Sequence, residues 1–108
     1  MLAGLQRDSR PGIVGRVITL FLHSAPALVK DLEAGAAGGD TALLHRASHT
    51  LKSASANVGA VLLSAHCKEL EALARTGSVP DAAARVATII EDYQQAQAAL
   101  TARLPQVA

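Results

Sequence analysis

Apolar positions recur along this chain with the spacing of amphipathic helices, not with the alternation of strands. Val14, Val17, Ile18, Phe21, Ala25, Leu28 and Leu32 share one face at about 100° per residue. The phase carries through Pro26, so the pattern predicts one long helix whose turn before the proline is loosened by the missing N–H. Leu43, Leu44, Ala47, Leu51, Ala54 and Val58 supply the stripe of a second helix, roughly from Asp40 to Asn57. Leu63, Cys67, Leu70 and Leu73 supply a third. Ala82, Val86, Ile89, Ile90, Tyr93, Ala96, Leu100 and Leu104 supply a fourth.

Three breaks separate these stripes. Gly35 to Gly39 ends the first, and Asp40 is a good N-cap for the second. Asn57 to Gly59 ends the second. Thr76-Gly77-Ser78 ends the third, with Ser78 as a candidate N-cap and Pro80 in a first-turn position. Four amphipathic helices with short connections predict an all-α fold, an antiparallel four-helix bundle. Residues 1–10 read as an extension, a linker stub or a short extra N-terminal helix. The bundle itself is expected over 11–104, with 105–108 as a tail.

Composition narrows the class further. The chain has 108 residues, enough for one domain and one modest core, and half of them are hydrophobic. Alanine supplies much of that half, and Phe21 and Tyr93 are the only aromatics, so helices can pack closely. A formal net charge of +1 without charge runs gives no reason to expect nucleic acid or an anionic membrane. The apolar stretch Ile13 to Val29 is interrupted by Arg16, His23, Ser24 and Pro26, which argues against a clean membrane span. Cys67, the single cysteine, fits a reducing compartment and reads as a small buried hydrophobe. The expected setting is the cytoplasm, and the expected state is monomeric.

Chemistry concentrates on the second helix. With His49 set at zero, Leu51 falls at roughly 200° and Ala47 at roughly 160° around the helix axis. His49 therefore points away from the core. Its outer-face neighbours are Ala42, His45, Arg46, Lys52, Ser53 and Ala56. An exposed imidazole keeps a large neutral fraction at pH 7, with a ring nitrogen lone pair able to attack phosphorus. The resulting charge needs compensation, which Lys52 can supply, with Arg46 and protonated His45 in support. Small residues at Ser53 and Ala56 leave room for a partner's approach. Taken alone, a histidine beside a lysine is usually a solvated helix face.

The wider pattern adds specificity. His49-x-x-Lys52 followed by Gly59-Ala60 resembles the His-x-x-Lys-Gly core and downstream Gly-Ala pair of histidine-containing phosphotransfer (HPt) domains of bacterial phosphorelays. Leu63, Cys67, Leu70 and Glu71 resemble the run that follows in that family, and Phe21, Leu22 and Pro26 resemble its preceding helix. The resemblance spans about residues 13 to 100. It implies that His49 accepts a phosphoryl group from an aspartate of one receiver domain and passes it to another, with Lys52 steadying the phosphate. It implies receiver domains of response regulators or of a hybrid histidine kinase as partners. Mg²⁺ would sit on the receiver, with no cofactor on this chain. The chain departs from the pattern at Ser53, where glycine is usual, and at Glu71, where glutamine is frequent. Glu71 can accept a hydrogen bond from the imidazole and fix its tautomer.

No nucleotide-binding loop is present, so autonomous kinase activity is not expected. A rival reading is a helical interaction module that is never phosphorylated. His45 and His49, spaced i, i+4, suggest a metal pair, but Arg46 and Lys52 oppose a cation there. His66 is expected to pack partly buried on the third helix, and His23 to lie on the surface. The chain reads equally as a free-standing protein or as the C-terminal domain of a membrane-bound sensor kinase.

Overall fold

The computed structural model describes residues 11–107, so the N-terminal extension lies outside the described residues. Four helices make up the fold: α1 (Pro11–Gly38), α2 (Thr41–Asn57), α3 (Val61–Arg75) and α4 (Ala82–Val107). Each packs against its neighbour in sequence, and α1 also packs against α4, which closes a four-membered ring. Connections this short reverse the chain at each step and produce the antiparallel bundle that the periodicity predicts.

The core is built from the expected stripes. Ile18, Phe21, Ala25 and Leu32 of α1 meet Leu44, Ala47 and Leu51 of α2 and Leu63, Cys67, Leu70 and Ala74 of α3. Val86, Ile89, Tyr93 and Leu100 of α4 complete it. Phe21 and Tyr93 form a tilted pair with ring centroids 6.2 Å apart, joining α1 to α4. The Gly12–Gly38 stretch is long and apolar enough to cross a membrane by length and composition, with a mean hydropathy of 1.5. Its buried stripe packs against α2 and α4, with 22% of that window buried, and the proline and the polar interruptions lie within this bundle helix.

Helix ends depart from expectation in informative ways. The Gly35–Gly39 cluster ends α1 as expected, at its last members. The helix runs to Gly38 and breaks at Gly39, which has φ +64°. Gly35 instead serves packing, since a Cβ there would lie 2.9 Å from Leu44 Cγ. Asp40 caps α2 as expected, accepting a hydrogen bond from the Leu43 N–H at 3.1 Å. Helix α4 starts at Ala82, not at Ser78. Asp81 adopts φ +55°, and the Arg85 Nε donates to the Pro80 carbonyl, so the chain turns after Pro80 before the helix begins. At its far end α4 passes through Pro105 to Val107.

The buried face of α2 is rotated slightly from the expected one. Ser48 and Ser55 are fully buried, while Leu43 and Ala54 are only half-buried. Leu44, Ser48, Leu51 and Ser55 stand at i, i+4, i+7 and i+11, one continuous helical stripe. Both hydroxyls donate to the carbonyl four residues earlier, at 2.6 Å, so burial leaves neither unpaired. Gly35→Val is expected to lower stability by about 1–3 kcal/mol through overpacking against Leu44. Gly38→Ala, with nothing within 4 Å of the added carbon, should leave it nearly unchanged. Urea denaturation of the two variants checks this, and equal midpoints would contradict the close approach of α1 and α2.

Candidate functional site

Helix α2 presents His49 outward, as its phase predicts, with 58% of the side chain exposed. Ser53, Ala56 and Arg46 are exposed around it. What the phase could not supply is the partner beneath the ring. Glu71 of α3 is only 5% exposed, and its Oε2 lies 2.8 Å from His49 Nδ1. Lys52 Nζ lies 2.7 Å from the other oxygen, Oε1. Arg75, one turn further along α3, donates to Oε2 at 3.2 Å. His45 Nε2 is buried without a hydrogen-bond partner, 3.9 Å from the same oxygen.

Helix geometry accounts for this convergence. His45 and His49 are one turn apart on α2, and their rings stack nearly parallel with centroids 6.3 Å apart. Glu71 and Arg75 are one turn apart on α3. The Ser64 hydroxyl donates across the helix pair to the Lys52 carbonyl at 3.0 Å, which fixes the register of α3 against α2.

The electrostatics follow from the donors. Hydrogen bonds from Lys52 and His49 outweigh burial and hold the Glu71 carboxyl well below its usual range, down to about 2. It is therefore ionised at neutral pH and can only accept hydrogen bonds. The His49 Nδ1 facing it must carry the proton. A neutral ring then has its lone pair on Nε2, which makes no hydrogen bond among the described residues. Counting Lys52 and Arg75 against Glu71, the cluster keeps a net positive charge, so the buried acid does not make the site repel an anion.

The other candidates separate clearly. His66 is not merely packed: its Nδ1 pairs with Asp92 Oδ2 of α4, tying α3 to α4. His23 is exposed. Burial, with the Asp92 and Glu71 carboxylates nearby, pushes the Cys67 thiol up to about 12, which leaves it a poor nucleophile. Glu69 is exposed and far in phase from Glu71. Sequence reasoning did not single out Arg75 or Asp92. Arg75 stands i+4 from Glu71, a spacing that marks helical ion pairs. Asp92 had no such signal, since its partner lies on another helix.

The comparisons with known proteins place the fold in a family. The Hpt domain family matches the chain over residues 16–99. This chain belongs to the Hpt family. Its fold is similar to the crystal structure of histidine-containing phosphotransfer protein B (HptB) from Pseudomonas aeruginosa PAO1. The TM-score is 0.82 at 26% sequence identity, covering 99% of this chain and 90% of that one. No curated protein matches the sequence at a significant level. The role of this Hpt domain is phosphotransfer within a phosphorelay.

The pairing at Glu71 has a consequence for acid stability. A carboxyl lowered from 4.5 to about 2 in the fold contributes stability that is fully present above pH 4.5. That contribution is lost as pH falls through the window toward 2. Urea midpoints measured between pH 7 and pH 2.5 should decline more steeply for the wild type than for Glu71→Gln. Parallel declines would mean that the carboxylate is not held by its neighbours.

Proposed function

We propose that His49 is the phosphoacceptor of this Hpt domain, relaying a phosphoryl group between receiver-domain aspartates. The observation that carries the reading is the Nδ1 contact to an ionised, buried Glu71, which leaves Nε2 as the nucleophilic nitrogen. The Nε2 lone pair forms the new N–P bond while the O–P bond of the donor acyl phosphate breaks, and the aspartate leaves as a carboxylate. The ring becomes cationic and keeps its Nδ1 proton, whose hydrogen bond to Glu71 strengthens as charge develops. The return step runs the same bonds in reverse.

Lys52 supplies a positive charge one turn from the reacting nitrogen, and Arg46 adds a second on the exposed face. Ser53 and Ala56 keep the surround low enough for a partner to close over the ring. The receiver domain brings Mg²⁺ and the aspartate. The interface is small and transient, centred on the outer face of α2. Glu71 acts as the orienter of the imidazole, the role that a carboxylate or carbonyl often plays toward a catalytic histidine.

Incubation with a phosphorylated receiver tests this directly. Wild type should take up label and His49→Gln should take up none. Lys52→Ala should keep the acceptor but lose about tenfold to a hundredfold in transfer rate or phosphohistidine lifetime, as befits one charge-assisted contact to the phosphoryl group. Label on His49→Gln would move the site elsewhere. A wild type that stays unlabelled by several receivers would favour a non-phosphorylated interaction module.

A further inference from the structure

Lys52 is engaged with Glu71, and a lysine that turns toward the phosphate gives up part of that hold. Its ammonium is the nearest cation to Glu71, 2.7 Å from Oε1, and His49 meets the same carboxylate through Nδ1, not through the reacting nitrogen. A carboxylate that is 5% exposed loses much of its compensation if that cation departs. Something must hold Glu71 when Lys52 turns to the phosphoryl group.

We propose that Arg75 is a positioning residue for phosphotransfer, taking over the Glu71 carboxylate so that Lys52 is free to engage the phosphate. The proposal rests on His49 as the acceptor. Arg75 touches Glu71 through one terminal nitrogen, at 3.2 Å, while 66% of its side chain is exposed. A guanidinium has further N–H donors in a planar fork that matches a carboxylate, so a modest rotation converts one contact into two. Its exposure means that nothing else in the bundle fixes it. Lys52 offers the complementary property, a compact charge on a flexible stem. His45, with its buried Nε2 3.9 Å from Oε2, is the other group able to follow the carboxylate.

This arrangement accounts for a glutamate at a position lined with cations. One fixed acid has donors on both oxygens: His49 and Arg75 on Oε2, Lys52 on Oε1. Exchange of Lys52 for Arg75 at Oε1 leaves the Nδ1 contact intact. The imidazole stays oriented throughout the reaction, and only the lysine moves.

The test is a mutant cycle on the whole domain, read by transfer of label from a phosphorylated receiver. Arg75→Ala should slow uptake about three- to tenfold, the scale of one hydrogen bond from a largely exposed, solvent-screened donor. Arg75→Lys should restore most of the rate. In a Glu71→Gln background the charge to be compensated is gone, and Arg75→Ala should add no further slowing. The ¹⁵N shifts of the His49 ring should report the same tautomer in wild type and Arg75→Ala, which separates positioning from a general disturbance of the site. Equal slowing in both backgrounds would make Arg75 a docking residue and overturn the proposal, as would an Arg75→Ala rate equal to that of the wild type when Glu71 is intact. Loss of His49 as the labelled residue is read separately, by His49→Gln, and would remove the underlying reading instead.

Discussion

The contact between His49 and Glu71 is the constraint on which the site depends. It crosses from α2 to α3, so it requires the two helices to be in register to within a fraction of a turn. Ser64, donating to the Lys52 carbonyl, ties that register. The close approach of Gly35 to Leu44 seats α2 on α1 from the other side. Packing far from the imidazole thus decides the position of its Nδ1.

The same contact determines the chemistry. An ionised carboxylate has no proton to give, so it assigns the proton to Nδ1 and the lone pair to Nε2. A glutamine in that place could hydrogen-bond the ring through either end of its amide. A glutamate removes that ambiguity at the cost of a buried negative charge. Lys52, Arg75 and the nearby His45 compensate it, and together they turn a potential source of repulsion into an electropositive site. The His66–Asp92 pair repeats the imidazole–carboxylate motif between α3 and α4, with its ring less exposed than that of His49.

Most of the fold was legible in the sequence because the apolar phase runs unbroken along each helix. The long α1 through Pro26, the Asp40 cap and the outward direction of His49 follow from spacing alone. The failures have a common cause. Residue type was allowed to override phase at Ser48 and Ser55, although both lie on the Leu44–Leu51 stripe and satisfy their hydroxyls within the helix. Gly35, the first of the cluster that ends α1, lies inside the helix, where its missing side chain makes room for Leu44. The start of α4 depended on the left-handed turn at Asp81, for which a non-glycine residue gives little warning.

The candidate site was half legible. The outer face of α2 around His49 could be placed from one helical wheel, but contacts between helices depend on register, which no single stripe encodes. Glu71 could be suspected from its place in the family pattern, while its burial and its three donors required the folded chain. The most direct measurement of the central claim is the position of phosphorus on the ring. Labelling the domain from a phosphorylated receiver and recording ³¹P and ¹⁵N spectra of the product distinguishes the two nitrogens. Phosphate on Nε2 of His49, with Nδ1 still protonated, is the predicted result. Phosphate on Nδ1 would contradict it, because Glu71 would then have to surrender the contact around which the site is built.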